Sequence, residues 1–178
     1  MGRVFGFIVG RIPVVLTTPV VLTTLLVQQI YADTTYVRGH ITSNTNWAPA
    51  GSPYIVVGNV YVDAGVTLTV EPGVEVKFDT LPGYDTLSLI VDGRLIAEGT
   101  TASPIRFTSI RASPYQGLWG RIEFSSNSVG KLTHCRIEYG GYYDVAYDGV
   151  AIVSSTDSLA ITNSTFSHNY KGIRNSVK

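Results

Sequence analysis

From Asp33 onward, apolar and polar residues alternate in short runs separated by turn residues. Val66-Thr67-Leu68-Thr69-Val70 alternates apolar with hydroxyl side chains, and Glu71-Pro72-Gly73 then turns the chain. Val74-Glu75-Val76-Lys77-Phe78 alternates again, this time with charges on the second face. Leu87 to Val91, Arg94 to Ala97, Ile105 to Thr108 and Arg121 to Phe124 continue the series. A period of two predicts half-buried β-strands, and no stretch sustains a helical period. Strands this short need many neighbours to be stable.

The strands repeat. At an offset of 21 residues, Val66, Leu68, Val70, Val74 and Val76 line up with Leu87, Leu89, Val91, Leu95 and Ala97. At 29, Gly120, Ile122, Phe124, Leu132 and Ile137 meet Gly149, Ala151, Val153, Ile161 and Phe166, and at 23 Gly149-Val150 meets Gly172-Ile173. A variable period in the twenties, with two or three strands in each repeat, describes one coil of a solenoid whose strands stack in parallel on the coil before. Leu68 is then expected over Leu89, and Val74 over Leu95. An antiparallel sandwich would use the same alternation, and Asp92-Gly93 and Asp148-Gly149 are hairpin signals. A sandwich, however, gives no reason for turn and strand to recur in the same order. The outward positions of these strands include Thr67, Thr69, Ser88, Ile90, Arg121 and Glu123, with Glu75, Lys77, Arg94 and Ile96 on the next sheet.

The chain ahead of Asp33 reads differently. Arg3 and Arg11 precede an uncharged stretch from Ile12 to Ala32 that ends on a small residue, the pattern of an export signal. Residues 1–32 are therefore expected to be a signal peptide or an uncleaved membrane anchor, 33–53 a lead-in or cap, and 54–178 the coils. Without the first 32 residues, 11 basic face 13 acidic side chains and no run of like charge exists. That balance argues against nucleic acid and against membrane contact other than through the N-terminal segment. Secretion or display at the cell surface follows as an expectation. Cys135 is the one cysteine, so no intrachain disulfide forms, and no cofactor or metal is expected.

The same residues resemble a known family. Trp47, Ser52 to Val60, Gly65 to Val74 and Val91-Asp92-Gly93-Arg94-Leu95-Ile96-Ala97-Glu98-Gly99-Thr100 are similar to the opening of exported right-handed parallel β-helix (pectin-lyase-like) proteins of bacteria and archaea. Leu132 to Gly141 and Ile161 to Phe166 resemble its regular coils. The resemblance implies an all-β, right-handed parallel β-helix. Lys171 to Lys178 reads as the opening of a further coil, so the expectation is an N-terminal portion with an incomplete last coil. Function is not implied, because such β-helices include lyases, hydrolases, adhesins and passive surface proteins.

Catalysis by a lyase would need several carboxylates for Ca²⁺ and a basic residue on adjacent coils of one sheet. No such stack of acids aligns here, and Glu75/Lys77 and Arg121/Glu123 read as solvated ion pairs. His134 and Asn163 are equivalent at the 29-residue offset and are expected to turn inward and bond backbone at a corner. The formal glycosylation sequon Asn163-Ser164-Thr165 would then be silent. Two long connections stand out, 109–119 with Tyr115 and Trp119, and 139–148 with Tyr142, Tyr143, Asp144, Tyr147 and Asp148. They leave the same corner of successive coils, and loops on a rigid scaffold commonly carry binding function. Those seven residues are the candidate glycan-binding site. The leading reading is a non-catalytic secreted or cell-surface module contacting polysaccharide or surface glycan. The alternative is the N-terminal segment of a polysaccharide lyase or glycoside hydrolase whose active coils lie beyond residue 178.

Overall fold

Alternating strands that bury one face each, with turns every few residues, close into a three-faced coil. The computed structural model describes residues 34–79, 86–142 and 149–175. Among them, β1 (Thr35–Ile41), β3 (Tyr54–Val62), β5 (Glu75–Phe78), β8 (Ile105–Ser109), β11 (Cys135–Glu138) and β14 (Thr165–Ser167) supply the first face. The second face continues the long β1 and β3 and adds β6 (Leu89–Val91), β9 (Ile122–Phe124), β12 (Val150–Ser154) and β15 (Lys171–Asn175). The third is β2 (Thr45–Trp47), β4 (Thr67–Val70), β7 (Arg94–Glu98), β10 (Val129–Thr133) and β13 (Leu159–Thr162). Among the described residues every strand pair is parallel, as one-way winding requires. Because β1 and β3 run unbroken around one corner, the first two faces join there into a single ten-stranded sheet. The chain is a right-handed parallel β-helix. Parallel pairing begins at Thr35, inside the stretch read as lead-in. The segment expected to be a signal or anchor lies outside the described residues, and no helix among them is long and apolar enough to cross a membrane.

Parallel stacking turns the inward positions into ladders through the core. Tyr54, Val76, Phe107, Ile137 and Phe166 succeed one another on the first face. Val60, Leu89, Ile122, Ile152 and Ile173 do so on the second, and Trp47, Val70, Ala97, Leu132 and Ile161 on the third. Side-chain volumes alternate to fill the section. At Gly130, the Phe124 ring and Leu159 already occupy the space a Cβ would take, so a ring of one face sits against the absent side chain of another.

The register corrects parts of the repeat. Leu68 stacks on Leu95, not Leu89, which instead lies between Val60 and Ile122. Val74 precedes β5 in a turn, and its neighbour Val76 pairs with Tyr54 and Phe107. The 21-residue offset matched third-face β4 to second-face β6, and it scored well because every face carries the same alternation. The 29-residue offset holds for Leu132 with Ile161 and Ile137 with Phe166. It slips by one at β9 and β12, where Ile122 meets Ile152, because the turn after β12 is one residue shorter. Val150 meets Lys171 and Ile152 meets Ile173, so the 23-residue offset was also misregistered. Ser88, expected outward, is buried, and its hydroxyl accepts the Arg121 amide.

Candidate functional site at the loop corner

The corner between the first and second faces is built at very different lengths. In β3 the chain rounds it without leaving the strand, and between β14 and β15 it needs only His168-Asn169-Tyr170. Between these, the connections after β5, β8 and β11 are long, so three successive coils each carry a loop at one place. The β8 and β11 loops lie side by side as expected. The Leu118 amide donates to the Tyr139 carbonyl at 2.8 Å, Gly141 to Gly120 at 2.8 Å and Tyr142 to Trp119 at 3.0 Å. The next corner continues the ladder, with the Tyr170 amide on the Gly140 carbonyl at 3.0 Å.

Trp119 holds this corner from beneath. Its ring is fully buried and stacks on Phe78, centroids 4.1 Å apart and planes 5° from parallel. The indole N–H donates to the Glu138 carbonyl at 2.8 Å. Residue 140 must be glycine, since a Cβ there would stand 2.7 Å from the indole ring. Trp119 is therefore an anchor, which corrects its assignment as a stacking platform: an apolar ring next to the open core gains more by burial than by facing water.

Tyr115 and Tyr142 fare differently. Tyr115 is 59% exposed, with the Arg111 guanidinium 5.8 Å from its ring centroid, within cation–π range. Tyr142 is half-buried in the interlocked loops. Tyr143, Asp144, Tyr147 and Asp148 lie outside the described residues. Three aromatics missed as site residues join the corner. Tyr170 is 46% exposed and packs its ring on Gly149, and Tyr139 and His168 stack with centroids 5.1 Å apart. Tyr139 and His168 share a left-handed backbone, φ 64° and 55°. Their equivalence was present in the 29-residue offset, but the left-handed requirement gave no sequence signal, since neither residue is glycine. Asn169 pins the turn below them, donating to the Ile137 carbonyl at 2.7 Å and accepting the Gly140 amide at 2.8 Å.

The β-helical core agrees with a comparison against known families. The model for a pectate-lyase-like beta helix domain matches residues 39–128, just over half of the chain. The chain belongs to this family. No curated protein and no solved structure matches it.

The outer surface of the first face of this pectate-lyase-like domain carries a charge ladder. Arg106 spans two coils, donating to Glu75 at 2.5 Å and to Glu138 at 3.0 Å, while Lys77 meets Glu75 at 3.0 Å. Burial alone would raise the Glu75 carboxyl, but Lys77 and Arg106 outweigh it and hold the group below its usual range. Hydrogen bonding to Glu138 likewise raises Arg106. The pairs Lys77–Glu75 and Arg121–Glu123 form as read from the sequence, and the two-coil bridge through Arg106 was missed because it crosses between repeats. Among the described residues no three His, Cys, Asp or Glu side chains are grouped to hold a metal.

The opposite corner, between third and first faces, corrects a second expectation. His134 and Asn163 are equivalent, but both are left-handed residues, φ 47° and 50°, and Asn163 is exposed. A single left-handed residue turns the strand so sharply that its side chain is thrown outward, so the sequon is not hidden by inward packing. Inward backbone bonding falls instead to Ser164, which accepts the Cys135 amide at 3.0 Å and donates to the Thr162 carbonyl at 2.9 Å. Cys135 is buried beneath, its thiol pushed up to about 12 by desolvation, so it packs as a small neutral side chain.

Proposed function

We propose that this pectate-lyase-like β-helix domain is a secreted or cell-surface module that contacts glycans through the aromatic corner. One observation carries the reading. Loops from successive coils are locked together by backbone hydrogen bonds and leave Tyr115, Tyr142, Tyr170 and the Tyr139–His168 pair at the surface of that one corner. A tyrosine ring offers a flat apolar face to the apolar face of a sugar while its hydroxyl stays wet. Coils about 4.8 Å apart let rings from neighbouring loops share one surface. The buried Trp119 fixes the loops before any ligand arrives, which lowers the ordering cost of binding. The test is saturation-transfer NMR on a polysaccharide retained by the protein. Transfer from tyrosine ring protons to sugar ring protons, lost in Tyr142→Ala and Tyr170→Ala, supports the proposal. Transfer that survives both substitutions overturns it.

A further inference from the structure

The corner between the third and first faces changes height along the helix. Its connection from β7 to β8 is a loop, residues 99–104, whereas the next two coils turn on the single left-handed residues His134 and Asn163. The loop consequently stands beside two tight corners and walls a notch of about 170 Å³, with Thr100 and Thr101 on one side and His134, Arg136, Asn163 and Thr165 on the other. That volume is below the roughly 300–1,000 Å³ of drug-sized sites, so the notch takes one small group.

The donors around it are uncommitted. Among the described residues, the side chains of His134, Arg136, Asn163 and Thr165 make no hydrogen bond or ion pair, and the exposed Arg136 lies in register between Arg106 and Thr165. Thr100 accepts the Ser103 amide at 2.9 Å, which leaves its own hydroxyl hydrogen free to donate. No carboxylate lines the notch, and those nearest along the first face, Glu75 and Glu138, are both held by Arg106. Glu98, which precedes the loop on the third face, is paired with Lys131.

We propose that this notch binds a small oxyanion, with the Arg136 guanidinium as its charged partner and His134, Asn163 and the threonine hydroxyls as further donors. A planar guanidinium beside several hydroxyl and amide donors matches the oxygens of a sulfate, phosphate or carboxylate. The site is separate from the aromatic corner and does not depend on the glycan reading.

The experiment is a thermal-unfolding titration of the full 178-residue chain with sodium sulfate, sodium phosphate and sodium acetate, each in chloride at matched ionic strength. A saturable rise in melting temperature is expected for at least one anion. Arg136→Gln should raise the midpoint at least about tenfold, the loss of one charge-assisted contact. Arg94→Gln, an exposed arginine on the third face, should move it less than about twofold. Asn163→Asp, which keeps a residue tolerant of the left-handed backbone but adds a carboxylate, should abolish saturation without lowering the anion-free melting temperature. Sulfate or phosphate outranking acetate assigns a tetrahedral group, and acetate outranking them assigns a carboxylate; both support the site. The proposal is overturned if no anion gives saturation, or if Arg94→Gln weakens the response as much as Arg136→Gln.

Discussion

Replacing Trp119 separates an anchor from a platform. The ring is fully buried against Phe78 and bonded to the Glu138 carbonyl. Truncating a buried tryptophan to alanine costs about 3–5 kcal/mol. Parallel aromatic stacking contributes about 0.5–1.5 kcal/mol beyond area, and the indole hydrogen bond a similar amount. Trp119→Ala should therefore fall in the upper half of that range, about 4–5 kcal/mol. Trp119→Phe keeps a ring on Phe78 but loses the donor and some volume, so it should cost about 1–2 kcal/mol. Urea unfolding followed by far-UV circular dichroism reads both as shifts in midpoint at unchanged slope. Because Trp119 accepts the Tyr142 amide through its backbone, the alanine variant should also weaken glycan retention by loosening the loops. A cost under about 0.5 kcal/mol, the range of surface substitutions, would refute the anchor.

Four further outcomes are expected. In a double-mutant cycle, Leu68→Ala should couple to Leu95→Ala by roughly 0.5–3 kcal/mol, and more strongly than to Leu89→Ala; the reverse would reinstate the 21-residue register. Cys135 should resist thiol reagents at pH 8 in the folded protein and react once unfolded. Its raised folded pKa contributes stability that is complete below the unfolded value of 9.0 and is lost as pH rises toward about 12, so Cys135→Ala should flatten that decline. Glu75 has a depressed folded pKa, so its contribution is present above the unfolded 4.5 and lost as pH falls through the folded value. Glu75→Gln should cost no more than about 1 kcal/mol at pH 7 and nothing in strong acid, as read by urea unfolding at the two pH values.

The fold was legible because each strand announces itself. Val66 to Val70 and Val74 to Phe78 bury every second residue, and that alternation survives whatever the neighbouring coil contributes. Which strand lies over which was less legible. All three faces use the same alternation, so loop length decides the register, and loop length leaves no trace in an ungapped offset. The site was half legible for a related reason. Trp119 and Tyr115 share one loop and both carry aromatic rings, but only packing against Phe78 and Gly140 decides that one is buried and the other exposed. Tyr170 and His168 escaped notice because their corner is short, and they reach the site only through stacking on the coil before.

The reading as a glycan-contacting module is tested most directly by affinity electrophoresis of the full chain through gels carrying a panel of neutral and acidic polysaccharides. The parent is expected to be retarded by at least one polysaccharide. Tyr115→Ala/Tyr142→Ala/Tyr170→Ala should run there at its free mobility, with a melting temperature close to that of the parent. Free migration of the parent through the whole panel, or equal retardation of the triple variant, would contradict the account.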